Sequence, residues 1–468
     1  MPSSDLWRND AATLSSLLAD GAVAPTDLVE MYLARCDRLQ PKLNAFVYLD
    51  PEGARRAAEE ADVRQRVGRR LGPLDGIPIT IKDNIFVAGM PARWGSLLFQ
   101  DHFPERDDIC VERLRAAGAV ILGKTTTPEL ALMGRTHSRL SGVTRNPWDP
   151  SLTPGGSSGG AVAGVAAGMA PLAIGTDAGG STRMPAAYTG LLGLRPSNGR
   201  APRRYGFAPM ALDFQAIGLI GRSVADLDLL LGVVAGPDSR DPASVNLPPL
   251  APRDGPLRIG WFTHIGAETV DAAVEEAHRR ARNLLADLGN AVEECDPPFD
   301  VTELRAIWDA LTPVGVARAV EANERWPADT TELIANLTRV GMKMSATDYV
   351  RTLDRLQLFR ATVSERWGAF DVLLTPTAAA PAWAADLDCP AVIGEKPGSS
   401  ATQGMFCGWV NALGFAGLNI PGQPHPDGRP IGLQVIAPLG HDERALRVAR
   451  QIEARDPWRD RWPSLAEE

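Results

Sequence analysis

The chain has 468 residues, of which 44% are hydrophobic and 22% charged, with a formal net charge of −9. This is enough apolar material for a large core, and the acidic balance argues against nucleic-acid binding, which needs clustered positive charge. The five cysteines form no C-x-x-C pair, no run of about twenty strongly apolar residues is present to span a bilayer, and the opening MPSSDLWRND lacks a basic region followed by an apolar one, so a cytoplasmic protein with free thiols and no membrane attachment is expected.

In chain order, TDLVEMYLARCDRLQ places Leu28, Met31, Tyr32, Cys36 and Leu39 at helical spacing. Thr26 or Asp27 is its expected cap, and Pro41 is expected beyond its end. Residues 52–70 are charged on most faces and predict an exposed helix. LDGIPITI (74–81) predicts a strand, 108–117 an amphipathic helix and AVIL (119–122) a short buried strand. A small-residue helix follows over 158–169, then a strand over 171–175. The second half repeats the alternation: strand 257–262, helix 270–288, helices 303–325 and 346–367, strands 370–377 and 431–437, and a closing helix 443–455. Strands alternating with long helices predict an α/β fold around a large mixed, twisted β-sheet. The Pro-rich stretch 237–255 is the best internal boundary, read as a surface loop within one domain. Residues 1–70 then form an N-terminal helical region, 71–235 a catalytic core, and 256–468 a second α/β half completing the sheet and the substrate pocket. The basic clusters 64–70 and 200–204 are read as solvated.

Two short motifs mislead. GAVILGKT (118–125) matches G-x-x-x-x-G-K-[ST], but its middle residues make a buried strand rather than a flexible loop, and Pro128 interrupts the helix a phosphate site needs. GGSSG (155–159) matches G-x-S-x-G, yet the apolar strand that must precede a nucleophile elbow is missing from TRNPWDPSLTP. His264, His278, His425 and His441 are read as solvated surface residues. No H-E-x-x-H motif or Cys/His cluster supports a metal.

IGTDAGGSTRMPAA (174–187) holds together better. Its glycines let the backbone approach a substrate and aim several N–H groups at one point, an oxyanion hole built from Ala178, Gly179, Gly180 and Ser181. Asp177 and Arg183 flank the turn as a structural ion pair. A serine nucleophile needs a base, and Lys82, at the end of ITIK, can serve if it is buried and neutral. Nothing in the spacing ties Lys82 to Ser181.

GPLDGIPITIKDNI, TRNPWDPSLTPGGSSGGAVAGVAAG and AIGTDAGGSTRMPAAYTGLLGLRPSNGR together resemble the amidase signature family. The likeness continues through GAVILGKTTTPELA, GLIGRSVADLDLLLGVVAG, DVLLTPT and RPIGLQVIAP, so it spans nearly the whole chain. The resemblance implies helices on both faces of the sheet and a Ser–cis-Ser–Lys triad. By motif position this makes Lys82 the base, Ser157 the relay across a cis Gly156–Ser157 peptide, and Ser181 the nucleophile. Thr176 matches the family's supporting hydroxyl, and Ser158 is expected to help hold Lys82. Ala178 stands where Thr is common, and Met184 where amidotransferase subunits often carry Gln. The implied activity is hydrolysis of amide C–N bonds of amidase or aryl-acylamidase type, extending to carbamates (urethanes). The A subunit of a glutamine-dependent tRNA amidotransferase is the alternative. No cofactor is expected, the partner is a small amide or carbamate substrate, and the chain is a monomer or homodimer. Trp94, Met133 and Met184 are candidates for an apolar pocket wall, with ordinary core packing the competing reading.

Overall fold

The apolar runs read as strands are joined by others in a single sheet. A computed structural model describes residues 5–251 and 255–468. Eleven strands make the sheet: β1 (Phe46–Leu49), β2 (Pro78–Lys82), β3 (Val120–Thr125), β4 (Leu172–Asp177), β5 (Leu192–Arg195), β6 (Ala216–Gly221), β7 (Arg258–Trp261), β8 (Ala291–Glu294), β9 (Val372–Pro376), β10 (Ala416–Pro421) and β11 (Gly432–Ala437). Their spatial order is β1-β3-β2-β4-β6-β5-β10-β11-β9-β7-β8. β2 runs parallel to both β3 and β4, and β7 parallel to β8 and β9, while the pairs between β4 and β9 are antiparallel. Strands from both sides of 237–255 meet where β5 pairs with β10; residues 252–254 of that stretch lie outside the described residues, as do residues 1–4 of MPSSDLWRND.

Most strands between residues 71 and 235 are buried along their whole length, as Ile79, Ile81, Val120, Leu122, Leu172 and Ile174 are. Continuous apolar runs rather than alternating ones follow when both faces of a sheet are covered. Gly159–Ala166 packs on β2, β3, β4 and β6, Val224–Val234 on β6, Ala272–Asp287 on β8, β9 and β11, and Asp442–Arg455 on β10 and β11. Glu332–Met342 and Ala346–Arg366 each pack on Val301–Val320.

Several expectations need correction. The first long helix is Pro25–Leu43, so Thr26 and Asp27 lie inside it and Pro41 sits in its last turn. Pro25 at the first helical position starts it instead, and the Thr26 hydroxyl donates to Asp62. Residues 74–77 form a turn, and the strand begins at Pro78. The basic clusters are not simply solvated: Arg64 donates to the buried Asp75 at 2.6 Å, and Arg200, itself buried, reaches Asp442 at 3.3 Å. His278 is fully buried against the Leu374 carbonyl, and burial holds its imidazole down at about 3, hence neutral. The five cysteines are free, with Cys36, Cys110 and Cys407 buried. Among the described residues no helix is long and apolar enough to cross a membrane.

The Gly159–Ala166 helix sets the position of the serines before it, and it does so by close approach. A Cβ on Gly160 would stand 2.5 Å from the Thr126 backbone nitrogen. Helix propensity alone makes Gly160→Ala stabilising by about 1 kcal/mol. The contact reverses that sign, and a loss of about 1–3 kcal/mol in urea unfolding is expected; an unchanged or higher midpoint would contradict this packing.

Candidate active site

Parallel pairing of β2 with β4 aligns Ile79 with Leu172 and Ile81 with Ile174, so Lys82 ends beside Thr176 at the carboxyl ends of the two strands. Ligand crevices in open α/β sheets form there. Ser157 and Ser158 arrive from the loop that opens the Gly159–Ala166 helix. Lys82 is fully buried. Its Nζ lies 2.8 Å from Ser157 Oγ, 3.0 Å from Ser158 Oγ, 3.0 Å from Thr176 Oγ1 and 3.4 Å from the Thr176 carbonyl. These neighbours are neutral oxygens. Burial therefore lowers the amine to about 7, although Asp177 and Asp83 pull it upward. A neutral amine has one lone pair, and Ser157 is the closest hydroxyl able to donate to it. Asn84, missed by sequence reasoning although it stands in the K-D-N stretch, donates to Thr176 Oγ1 at 3.1 Å.

The second part is the turn Ala178–Ser181. Asp177 holds it from below: Oδ1 accepts from the Gly180 N–H at 2.9 Å, and Oδ2 from the Thr182 and Arg183 N–H groups at 3.1 and 3.3 Å. The same carboxylate pairs with the Arg183 guanidinium at 2.8 Å, both side chains fully buried. Burial pushes the Asp177 carboxyl up, but the Arg183 charge and the hydrogen bonds outweigh it and hold it well below the usual range. Asn411 bridges the pair, donating to Asp177 Oδ1 at 2.9 Å and accepting from Arg183 at 2.6 Å, and Gln434 accepts from Arg183 as well. Because the Gly180 N–H is turned to Asp177, the expected donor group at 178–181 reduces to the N–H groups of Ala178, Gly179 and Ser181. Gly180 is at φ +112°, and a Cβ there would stand 2.7 Å from Cys407 Cβ, so both backbone and space require glycine.

The two parts are tied together. The Ser158 N–H donates to the Ser181 carbonyl at 3.0 Å, and the Gly156–Ser157 peptide is cis. A Cβ on Gly156 would stand 2.5 Å from the Met133 carbonyl and 2.9 Å from that of Arg135. Lys82, Ser157, Ser158 and Thr176 are buried, whereas Ala178, Gly179 and Ser181 are half-buried and form the open side.

The pocket candidates separate. Trp94 is 2% exposed and stacks on Phe207 at 4.5 Å among Leu98, Leu130 and Met210, so it is core. Met184 packs with Cys407 and Tyr188 behind the turn, and Met133 is half-buried, its carbonyl against Gly156. Lys124 of GAVILGKT lies in β3, buried, and donates to the Asp83, Ile85 and Pro91 carbonyls at 3.2, 2.7 and 3.2 Å; it fixes the loop after Lys82. Asn411 and Gln434 lie more than 200 residues from Arg183, and no local pattern announces them. Among the described residues no group of three or more His, Cys, Asp or Glu is arranged to hold a metal ion.

A family model described as amidase matches residues 27–446. The acylamidase of Rhodococcus erythropolis is 32% identical over 469 residues, covering 97% of both chains. The A subunit of the glutamyl-tRNA(Gln) amidotransferase of Acidothermus cellulolyticus is 35% identical over 488 residues, covering 96% of this chain and 95% of the relative. Among solved structures, 6-aminohexanoate cyclic dimer hydrolase with its substrate matches with a TM-score of 0.89 at 28% identity, over 98% of this chain and 100% of that one. A bacterial aryl acylamidase of the amidase signature enzymes matches at 0.87 and 26% identity, over 98% of each.

Removing one partner of a buried ion pair leaves the other charge uncompensated. Arg183→Met is expected to cost about 3–5 kcal/mol in urea unfolding, far more than Arg351→Met, whose partner Asp348 is exposed; equal, small losses would show that the pair does not hold the turn.

Proposed function

The chain belongs to the amidase signature family, whose enzymes hydrolyse amide C–N bonds, and from that premise we propose that Lys82, Ser157 and Ser181 form its proton-relay triad. The observation that carries this reading is the fully buried Lys82 amine, 2.8 Å from Ser157 Oγ and lowered to about 7. Ser181 Oγ attacks the carbonyl carbon. Its proton passes to Ser157, and the Ser157 proton passes to the Lys82 lone pair. The carbonyl π pair moves onto oxygen, held by the N–H groups of Ala178, Gly179 and Ser181, each key donor contributing about 3–4 kcal/mol. The C–N bond then breaks as Lys82 returns its proton through Ser157 to the leaving nitrogen. Water attacks the acyl-enzyme, the same relay takes its proton, and Ser181 departs as the hydroxyl.

Relatives named acylamidase and aryl acylamidase support an amide substrate. A carbamate presents the same planar carbonyl to the same turn, so the proposal extends to urethanes. A second reading, the A subunit of an amidotransferase, is favoured by the 35% identity to such a protein. Met184, in place of the Gln common in those proteins, weighs against it.

The purified chain alone should hydrolyse members of a panel of p-nitroanilides, simple amides, ureas and carbamates. Activity confined to glutamine and dependent on added partner subunits would favour the second reading. Ser181→Ala should abolish turnover, and Lys82→Ala should lower kcat/KM by about 10²–10⁴-fold; a Lys82→Ala enzyme near wild type would remove lysine as the base.

A further inference from the structure

Two half-buried features flank the open side of the Ala178–Ser181 turn. One is the segment 131–135, whose Met133 and Arg135 carbonyls stand against Gly156. The other is Trp308, carried by the Val301–Val320 helix. Its indole Cη2 and Cζ2 stand 3.3 and 3.6 Å from where a Cβ of Gly179 would lie, and its Nε1 edge is 3.3 Å from the corresponding point on Gly408. Behind the ring, the fully buried Phe214 meets it edge-on, with centroids 5.0 Å apart and planes at 68°. The indole is therefore fixed from the back and along one edge. Trp308 is only partly buried, so it still offers apolar surface beside the turn. Aromatic side chains held this way provide large contact area with little loss of freedom on binding.

The chemistry decides which half of the substrate meets which wall. Ser157 must hand a proton to the leaving nitrogen, so that nitrogen stands on the Gly156–Ser157 side, next to the 131–135 segment. With the oxyanion turned towards the N–H groups and Ser181 below the carbonyl, the remaining substituent points the other way, past Gly179. Trp308 is the side chain that stands beside Gly179. We propose that Trp308 is a specificity-determining residue for the acyl side, the alkoxy side in a carbamate, and that it favours aryl and other bulky planar groups over acetyl. The proposal rests on Ser181 being the nucleophile and Ser157 the relay.

Two substrate series test it with the full-length enzyme. The first varies the acyl group at constant leaving group: p-nitroanilides of acetic, butyric, phenylacetic and benzoic acids. The second varies the leaving amine at constant acyl group. Trp308→Ala should lower the ratio of kcat/KM for benzoyl over acetyl by about tenfold or more, chiefly through KM, while the ranking of leaving amines stays in order. Trp308→Phe should restore most of that ratio. An unchanged benzoyl-to-acetyl ratio, or a change that follows the leaving amine, overturns the proposal. If Trp308→Ala fails to fold, Trp308→Phe and Trp308→Leu decide by the same ratio. Labelling of Ser181 by a fluorophosphonate in the same samples separates the two failures: a labelled Ser181 with an unmoved ratio sinks the role of Trp308 alone, and an unlabelled Ser181 in the wild-type enzyme sinks the reading beneath it.

Discussion

A lysine amine buried without a carboxylate against it is the constraint on which the site depends. An ammonium ion placed there loses its hydration and gains only hydroxyl and carbonyl oxygens in return. The two nearest acids are already engaged. Asp177 is committed to Arg183 and three backbone N–H groups, and Asp83 accepts from the Arg93 and Gly95 N–H groups. Lys82 therefore relieves the cost by losing its proton, and its amine sits at about 7 rather than at the ordinary lysine value. The sign for stability follows. Below about 7 the ammonium is carried in both folded and unfolded chains and the penalty is full; from there up to the unfolded lysine value the unfolded chain binds more protons, so this contribution improves as pH rises.

The rest of the architecture keeps that amine buried and its hydroxyl partners in place. Lys82 and Thr176 meet because β2 and β4 are parallel and in register, and the serines meet them because a helix with almost no side-chain volume lies flat on the same strand ends. The turn that carries Ser181 is held differently, by charge. Asp177 and Arg183 come from the first half of the chain, while Asn411 and Gln434 come from the second. The second half thus completes the sheet at the β5–β10 seam and also supplies the polar floor under the turn. The turn between Asp177 and Arg183 needs residues beyond 400 to hold its shape.

What could be read from the sequence follows from how local each signal is. GAVILGKT is legible as a strand because four consecutive apolar residues state it directly, and Lys124 is indeed spent on three carbonyls rather than a phosphate. The Asp177–Arg183 pair is legible because both residues flank one tight turn. Two things were hidden because they depend on distant packing. His278 sits in a charged helix yet is buried against β9. Trp94 lies near the K-D-N motif yet faces an aromatic cluster. The Gly180 N–H was hidden for a different reason: its acceptor Asp177 is only three residues away, but four similar donors stand in the turn and the sequence does not say which one the carboxylate takes. Trp308 left no trace either, since nothing in a helix more than 120 residues downstream says that it reaches Gly179.

The most direct test of a neutral lysine working through Ser157 is the pH dependence of Ser181 modification by a fluorophosphonate, which reports the reactivity of the serine without any later step. The account predicts that the label is found on Ser181, that its rate rises with pH through a single ionisation near the lowered lysine value of about 7, and that Lys82→Ala removes both the rate and its pH dependence. A label carried by another serine, or a rate on Ser181 that is flat across neutral pH and survives Lys82→Ala, would contradict it.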